Sequence, residues 1–471
     1  MGQGISKDDQ LMIEEGSAKI YFSKEDKMGE VFYNPVQHFN RDLTCSIIQT
    51  FQKELGKEIS IFEAFAATGL RSLRYAKEVK GVKSVIANDL DPHAVSIINK
   101  NIIINKVTGI VKSSVGDAND VMNKNPLQFS VIDLDPYSTA AIFLHAAIQS
   151  IEDGGLLCIT STDGRSLCGT QPDTAYSWYN TMPLNTEFAH EFGIRTLLTT
   201  IMTIAARYRR SVEPLLSMRV DFYFRVFVRI HDKPIDVKPN SANTSLCFYS
   251  IDTGSFWLQP MGTYTRKGSN GVAKPTELHI PYTKDPYTNG PLKIGGPVYS
   301  GPLHSKAFIQ KIIDVLPQMS YLQTLPRIMA VLNTCMSEID APFYYDIGAL
   351  CGIVKSSCPP RAMIVSAIEK LGFQCSLTHA KPGMLKTSAP SYVLWDFIRK
   401  WYFEEGKKMP ENDEKAKLIL SADPQCQIEL FTDPIVEERL KREKKICKFY
   451  HNPEPNFGPK AAAKKKKDNK V

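Results

Sequence analysis

A chain of 471 residues exceeds what one hydrophobic core usually serves, so two packed domains with tails are expected. With 43% hydrophobic and 23% charged residues the composition excludes a fibrous or wholly disordered protein, and the net charge of +7 leans towards a polyanionic partner. The ten cysteines are scattered singly with no C-x-x-C pair, the pattern of reduced thiols in an intracellular protein. No apolar run approaches the ~20 residues of a membrane helix, and the first residues lack the apolar core of a secretory signal. Gly2 with Ser6 matches the M-G-x-x-x-[ST] pattern, so peripheral membrane contact is expected only through myristoylation of Gly2.

In chain order, ISIFEAFA reads as a strand and GLRSLRYAKEV as the helix after it. KSVIANDL and DPHAVSIINKNIIIN repeat the pair, the helix opened by Pro92. A short strand in VKSSVGDA, an apolar strand around Val131 to Tyr137, the helix STAAIFLHAAIQSI, a turn at Gly154-Gly155 and the strand GLLCITSTD follow. Short apolar runs alternating with amphipathic stretches call for an α/β fold, a parallel sheet with crossover helices. LLSMRVDFYFRVFVRI alternates as a hairpin. The proline and small polar residues of KPIDVKPNSANTS read as a linker and divide residues 20–235 from a second, mixed α/β domain at 236–456. Residues 1–19 and 457–471 are read as tails, the second ending in a basic run.

In a doubly wound sheet ligands sit beyond the carboxyl ends of the strands, so the residues just after each strand carry the chemistry. The first strand ends in Glu63-Ala64-Phe65-Ala66-Ala67-Thr68-Gly69, whose small residues let a ligand approach the backbone, and Arg71 opens the helix. The second strand ends in Asn88-Asp89, where a carboxylate is placed to accept both hydroxyls of a ribose. Asp117-Ala118 follows the third, with an acidic side chain for an adenine amine. The sharpest signal is Asp133-Leu134-Asp135-Pro136-Tyr137 after the apolar strand. An amine conjugated to a purine is a poor nucleophile, because its lone pair is delocalised. A carboxylate, Asp135, and a backbone carbonyl, that of Pro136, would accept its two hydrogens, aim the lone pair at a methyl sulfonium and drain the proton. Tyr137 would stack on the flipped base, with Phe32 on its other face.

The chain closely resembles the tRNA guanine-26 N2,N2-dimethyltransferases of archaea and eukaryotes. VFYNPVQHFNRDL, EAFAATGLRSLRYAKE, ANDLDPHAV, VIDLDPYS, AAIQSIEDGGLL, GGPVYSGPLH and LGFQCSLTHAKPGMLKTSAP are among the segments that carry the resemblance, from about Ile20 to about Ala461. It implies a class I (Rossmann-like) methyltransferase domain followed by a family-specific α/β domain that helps hold tRNA. By motif it implies that Arg41, Arg71, Asp89, Asp117 and Ala118 bind S-adenosylmethionine. Asp135 and Pro136 would position the guanine amine, with Phe32 and Tyr137 packing around the base. Lys381, Lys386 and the Arg207, Arg209, Arg210 cluster are the expected phosphate contacts.

Two departures from the family pattern stand out. Ser138 occupies a position where the family usually has Gly, which predicts a remodelled turn with reduced activity or a changed balance of mono- and dimethylation. Where eukaryotic relatives carry two C-x-x-C pairs, only Cys247 remains, so no metal is expected. Between Asp236 and Pro302 the candidate ligands are Cys247 and His279, and Cys335, Cys351 and Cys358 read as lone cysteines on helices and their flanks. The alternatives are a methyltransferase for another guanine or an adenine amine in RNA, and a tRNA-binding protein with reduced catalysis. The family's usual address and the basic run Lys464 to Lys467 point to the nucleus, with cytoplasm and mitochondrion as the alternatives.

Overall fold

The alternation that begins at Ile59 builds one seven-stranded sheet. The computed structural model describes residues 10–23, 33–268, 270–447 and 452. A hairpin of β1 (Gln10–Glu15) and β2 (Ala18–Ser23) precedes helix α1 (His38–Leu55). Then β3 (Ile59–Glu63), α2 (Leu70–Glu78), β4 (Val82–Asp89), α3 (Pro92–Ile104), β5 (Val111–Val115), α4 (Ala118–Asn123), β6 (Phe129–Leu134), α5 (Leu144–Ser150) and β7 (Ile151–Ser161) alternate, the strands mutually parallel. Helices α6 (Gly164–Leu167), α7 (Pro172–Tyr179) and α8 (Ala189–Arg207) lead to the hairpin of β8 (Ser211–Val220) and β9 (Tyr223–His231), whose second strand pairs antiparallel with β7.

The spatial order is β5-β4-β3-β6-β7-β9-β8. It reverses between β3 and β6, and such a reversal opens a ligand crevice beyond the strand ends. FSVIDL of β6 is buried at every position, as a central parallel strand covered on both faces must be. Gly154-Gly155 does not end an element as the sequence suggested. Both residues lie inside β7, where the partner register jumps from Phe129–Ile151 to Val131–Leu156, a bulge that Gly154 permits with a φ of 74°.

The second half is mixed α/β, as expected. β10 (Thr244–Ser250) lies between β11 (Phe256–Pro260) and β14 (Leu292–Tyr299), and β12 (Gly262–Lys267) pairs with β13 (Asn270–Pro275). Helices α9 (Lys306–Val315), α10 (Leu325–Ser337), α11 (Ile347–Ile353) and α12 (Arg361–Lys370) follow. The short pair β15 (Cys375–Ser376) and β16 (Lys386–Thr387) precedes α13 (Ser391–Glu404), α14 (Glu414–Ser421) and α15 (Pro434–Ile446).

Packing does not follow the composition change near Lys233. Phe308, Ile312, Ile328 and Leu332 of α9 and α10 join the core of Ile47, Phe51, Ile61 and Leu73, whereas Val393, Trp395 and Phe397 of α13 form a separate one. At the other end, residues 10–19, read from sequence as part of a tail, contribute the whole of β1 and the start of β2. That hairpin is locked down by charge. Fully buried Arg74 of α2 reaches Glu15 at 2.8 Å, Asp42 of α1 at 2.6 Å and Glu78 at 2.9 Å. Arg41 pairs with Glu15 through both ends of its guanidinium.

Candidate active site

β3 and β6 are neighbours, with Glu63 opposite Asp133. Asp135 therefore stands just past the sheet, beside the loop that follows β3. Its carboxylate is ion-paired with Arg71 of α2 and is 21% exposed. Burial would raise its pKa, but Arg71 and Arg225, with a hydrogen bond from Thr160, hold it below the ordinary carboxylate value. It is a carboxylate at neutral pH.

Beneath Asp135 lies a support that sequence reading missed. Buried Asp133 accepts hydrogen bonds from Tyr75 Oη at 2.5 Å and from Arg225 Nη2 at 2.9 Å. Arg225 also donates to Thr160 Oγ1 at 2.7 Å and Thr44 Oγ1 at 2.9 Å. The available signal was a carboxylate inside an apolar strand, which has to be paired, and Arg225 inside the equally apolar run YFRVFVRI.

Tyr137 is 75% exposed at the mouth of the crevice. Partial desolvation and the carboxylates of Asp135 and Asp89 raise its phenol pKa. Ser138 has a φ of 70°, the left-handed region that costs a side chain ~1–2 kcal/mol. Thr162 holds the turn from both sides, its Oγ1 accepting from the Ser138 amide at 2.9 Å and its own amide donating to the Ser138 carbonyl at 2.8 Å. Serine thus adopts a backbone conformation that glycine would tolerate without strain. Ser138→Gly relieves that strain but frees the unfolded chain by ~0.4–1 kcal/mol, so stability should change by less than about 1 kcal/mol and turnover by less than threefold or so. Denaturation and steady-state rates test this; a turnover gain of ~10-fold or more would mean that Ser138 does distort the site.

The other strand ends carry the expected groups. Asp89, at the end of β4, accepts from the Ala67 amide at 2.8 Å and the Asp91 amide at 3.0 Å, which fixes the carboxylate over the loop after β3. Gly69 caps α2 with a φ of 80°. Asn88 donates to the carbonyls of Ala64 at 3.2 Å and Gly116 at 3.0 Å, while its Oδ1 is buried and accepts no hydrogen bond. Arg71 Nη1 is likewise buried without a hydrogen bond. Asp117 caps α4 through the Asn119 amide at 2.8 Å and is exposed; Ala118 behind it is buried. Arg71 is already paired with Asp135 and, at 3.7 Å, with Asp133, but its Nη1 has a hydrogen to spare; with the free Asn88 acceptor and carboxylates at successive strand ends, it suits the carboxylate, ammonium, ribose and adenine amine of S-adenosylmethionine.

The remaining candidates are distributed differently. Arg41 is committed to Glu15 and to the Asn34 carbonyl at 3.0 Å. Phe32 lies outside the described residues. Lys381 is partly exposed, 3.5 Å from Asp346. Lys386 is buried between Glu191 at 3.0 Å and Glu338 at 2.7 Å, so it presents no charge to a phosphate. Arg210 is buried too, donating to the carbonyls of Ile151 at 2.9 Å and Glu152 at 3.1 Å and paired with Asp232 at 2.6 Å. These carbonyls belong to the start of β7, opposite Phe129, and Asp135 lies beyond the other end of β6, so roughly 20 Å of strand separates them. Exposed Arg207 and Arg209 share that remote edge. The cluster is correctly basic but sits at the wrong end of the strands to accompany Asp135.

Counted from β3, the sheet order is 3-2-1-4-5-7-6 with its seventh strand antiparallel, and with carboxylates following its strands it defines a class I S-adenosylmethionine-dependent methyltransferase. Residues 10–399 match the family model described as N2,N2-dimethylguanosine tRNA methyltransferase, and the chain belongs to that family. It is 36% identical to the tRNA (guanine(26)-N(2))-dimethyltransferase of Schizosaccharomyces pombe over 95% of this chain and 91% of that one. It is 33% identical to the Homo sapiens enzyme of the same name, over 96% of this chain and 77% of that one. Among solved structures, Trm1 from Pyrococcus horikoshii in complex with S-adenosyl-L-methionine superposes with a TM-score of 0.69 at 29% identity, covering 82% of this chain and 98% of that chain. The activity is transfer of methyl groups from S-adenosylmethionine to N2 of guanine 26 in tRNA.

Proposed function

We propose that Asp135 and the Pro136 carbonyl hold the two hydrogens of the guanine amine, with Tyr137 stacked on the base and Phe32 on its other face. S-adenosylmethionine, when bound, supplies an electrophilic methyl group on a sulfonium. Asp135 keeps the amine lone pair directed and takes up the proton released as the nitrogen acquires the methyl group. Arg71 keeps that carboxylate ionised between turnovers. After one methylation a single N–H remains for Asp135, so the second transfer proceeds with one positioning contact fewer. The observation that carries this reading is the ionised Asp135 beside exposed Tyr137 at the point where the strand order reverses.

On the donor side the proposal assigns the ribose to Asp89, the adenine amine to Asp117 beside Ala118, and the donor's carboxylate to Arg71, with Arg41 behind it. Asp89→Ala removes a charged acceptor of two hydroxyls, each such bond contributing ~1.5–3 kcal/mol. Calorimetry should give a donor Kd raised at least ~10-fold. Unchanged affinity would move the ribose elsewhere.

For tRNA, the basic side chains at the catalytic end of the sheet are the better phosphate contacts. Arg219 near the end of β8, with Arg361, Lys441 and Lys444, lines a cavity of about 630 Å³, and Lys381 adjoins its Pro382–Gly383 rim. No described helix is long and apolar enough to cross a membrane. The nuclear assignment rests on Lys464 to Lys467, and membrane contact on Gly2; both lie outside the described residues. One relative, from Saccharomyces cerevisiae, carries a mitochondrial name.

A further inference from the structure

Away from the crevice, four ligand-bearing side chains converge where α10 meets the loop between β15 and β16. His304 precedes α9, Cys335 lies on α10 with Glu338 just beyond its end, and His379 comes from the loop. All four are buried, and one potential ligand atom from each lies within 4.8 Å of the others. A tetrahedral ion with bonds of ~2.0–2.3 Å sets its donors ~3.3–3.8 Å apart, so small side-chain rotations would close the set.

Its own pairing accounts for Glu338, which also accepts from Thr378 Oγ1 at 3.0 Å and the His379 amide at 3.1 Å, but not for the far side of the two imidazoles. Lys386 already neutralises Glu338 through Oε1 at 2.7 Å. On the other oxygen, Glu338 Oε2 lies 2.6 Å from His379 Nδ1 and 3.8 Å from His304 Nε2. Among the described residues the buried Nε2 atoms of both imidazoles find no nitrogen or oxygen partner, and both rings lie against the Cys335 thiol. His304 Nδ1 faces the Ser217 amide at 3.4 Å, a contact long enough to be given up. The His304 ring is thus directed into the cluster with no nitrogen or oxygen partner for its Nε2, at a cost that burial normally forbids.

We propose that His304, Cys335, Glu338 and His379 bind a zinc ion. A thiolate, two imidazoles and a carboxylate in a closed, buried shell match its borderline-soft, four-coordinate preference. With Cys335 and Glu338 ionised the zinc site is neutral, and Lys386 remains with Glu191 at 3.0 Å. The ion ties α10, whose Cys335 belongs to the core under β3, to a loop whose Ala380 belongs to the other core of the sheet. This reverses the expectation of zinc independence. That expectation weighed closely spaced pairs between Asp236 and Pro302, whereas these ligands come singly from three segments.

The test uses the purified full-length chain. Elemental analysis should find about one zinc per chain, and chelation should lower the thermal midpoint. After chelation, added cobalt(II) should give a thiolate-to-cobalt charge-transfer band that Cys335→Ser abolishes, His304→Gln weakens and Cys247→Ser leaves intact. Wild-type protein with less than about a tenth of an equivalent of zinc and no such band would overturn the proposal, leaving a metal-free cluster. A band that persists in Cys335→Ser would overturn it as well. The wild-type cobalt titration decides even where a variant fails to fold.

Discussion

Asp135→Asn should stop methyl transfer while leaving S-adenosylmethionine binding intact. The amide keeps the volume and one oxygen, but it loses the charge that pairs with Arg71, and it cannot take up the proton that leaves the amine. Loss of a positioning and proton-accepting group costs on the order of a hundredfold or more in rate. Donor affinity should change far less than turnover, because Asp89 and the loop after β3 do not touch this side chain and Arg71 keeps Asp133 as a partner. The pH profile follows from the same ion pair. The pKa of Asp135 is depressed in the folded protein, so its charge is present at neutral pH and is lost only as pH falls below the ordinary carboxylate range. No acid limb from Asp135 should therefore appear near neutrality. Single-turnover rates with saturating tRNA, together with calorimetry of the donor, check both parts; near wild-type turnover would remove Asp135 from the chemistry.

The largest loss of stability is expected from Arg74→Met. Arg74 is fully buried, and its guanidinium bonds to Glu15, Asp42 and Glu78. Removing the cation from such a cluster leaves buried carboxylates uncompensated, at a cost of ~3–5 kcal/mol. Glu15 gives this a pH signature. Burial would raise its pKa, yet Arg41, His38 and Arg74 bring it down to about 2. Its contribution to stability is therefore fully present above the unfolded value of ~4.3 and is lost as pH falls through about 2. In Arg74→Met the folded pKa rises and acid unfolding begins at higher pH. Denaturant titrations at neutral and acidic pH measure both effects, and a loss below about 1 kcal/mol would show that the cluster relaxes around the missing charge.

Much of the catalytic half was legible because its signals are local. The strands from Ile59 to Ser161 are short apolar runs, each followed at once by the residues that face the crevice, so Asp89, Asp117 and Asp135 could be found by their distance from a strand end. The hairpin β8–β9 was legible for the same reason. What failed depended on three-dimensional placement. Lys386 and Arg210 are charged residues in polar-looking stretches, and nothing in their spacing tells that carboxylates or carbonyls from distant segments enclose them. The Arg207–Arg210 cluster was read by charge alone, without the direction of β7 that sets it at the far edge. Burial of α9 and α10 on the first sheet, and the meeting of His304, Cys335, Glu338 and His379, join residues tens of positions apart whose neighbours carry no shared pattern. Ser138 was read as a departure from glycine, and nothing in the sequence tells that its backbone is left-handed and held by two bonds to Thr162.

The most direct measurement is nucleoside mapping by mass spectrometry of an unmodified tRNA transcript incubated with the purified chain and S-adenosylmethionine. The expected products are N2-methylguanosine and then N2,N2-dimethylguanosine at position 26, with no methyl incorporation there when that guanine is replaced by adenine. Methyl groups on an adenine amine or on another guanine, with guanine 26 left unmodified, would contradict the assignment of Asp135, Pro136 and Tyr137 to this base.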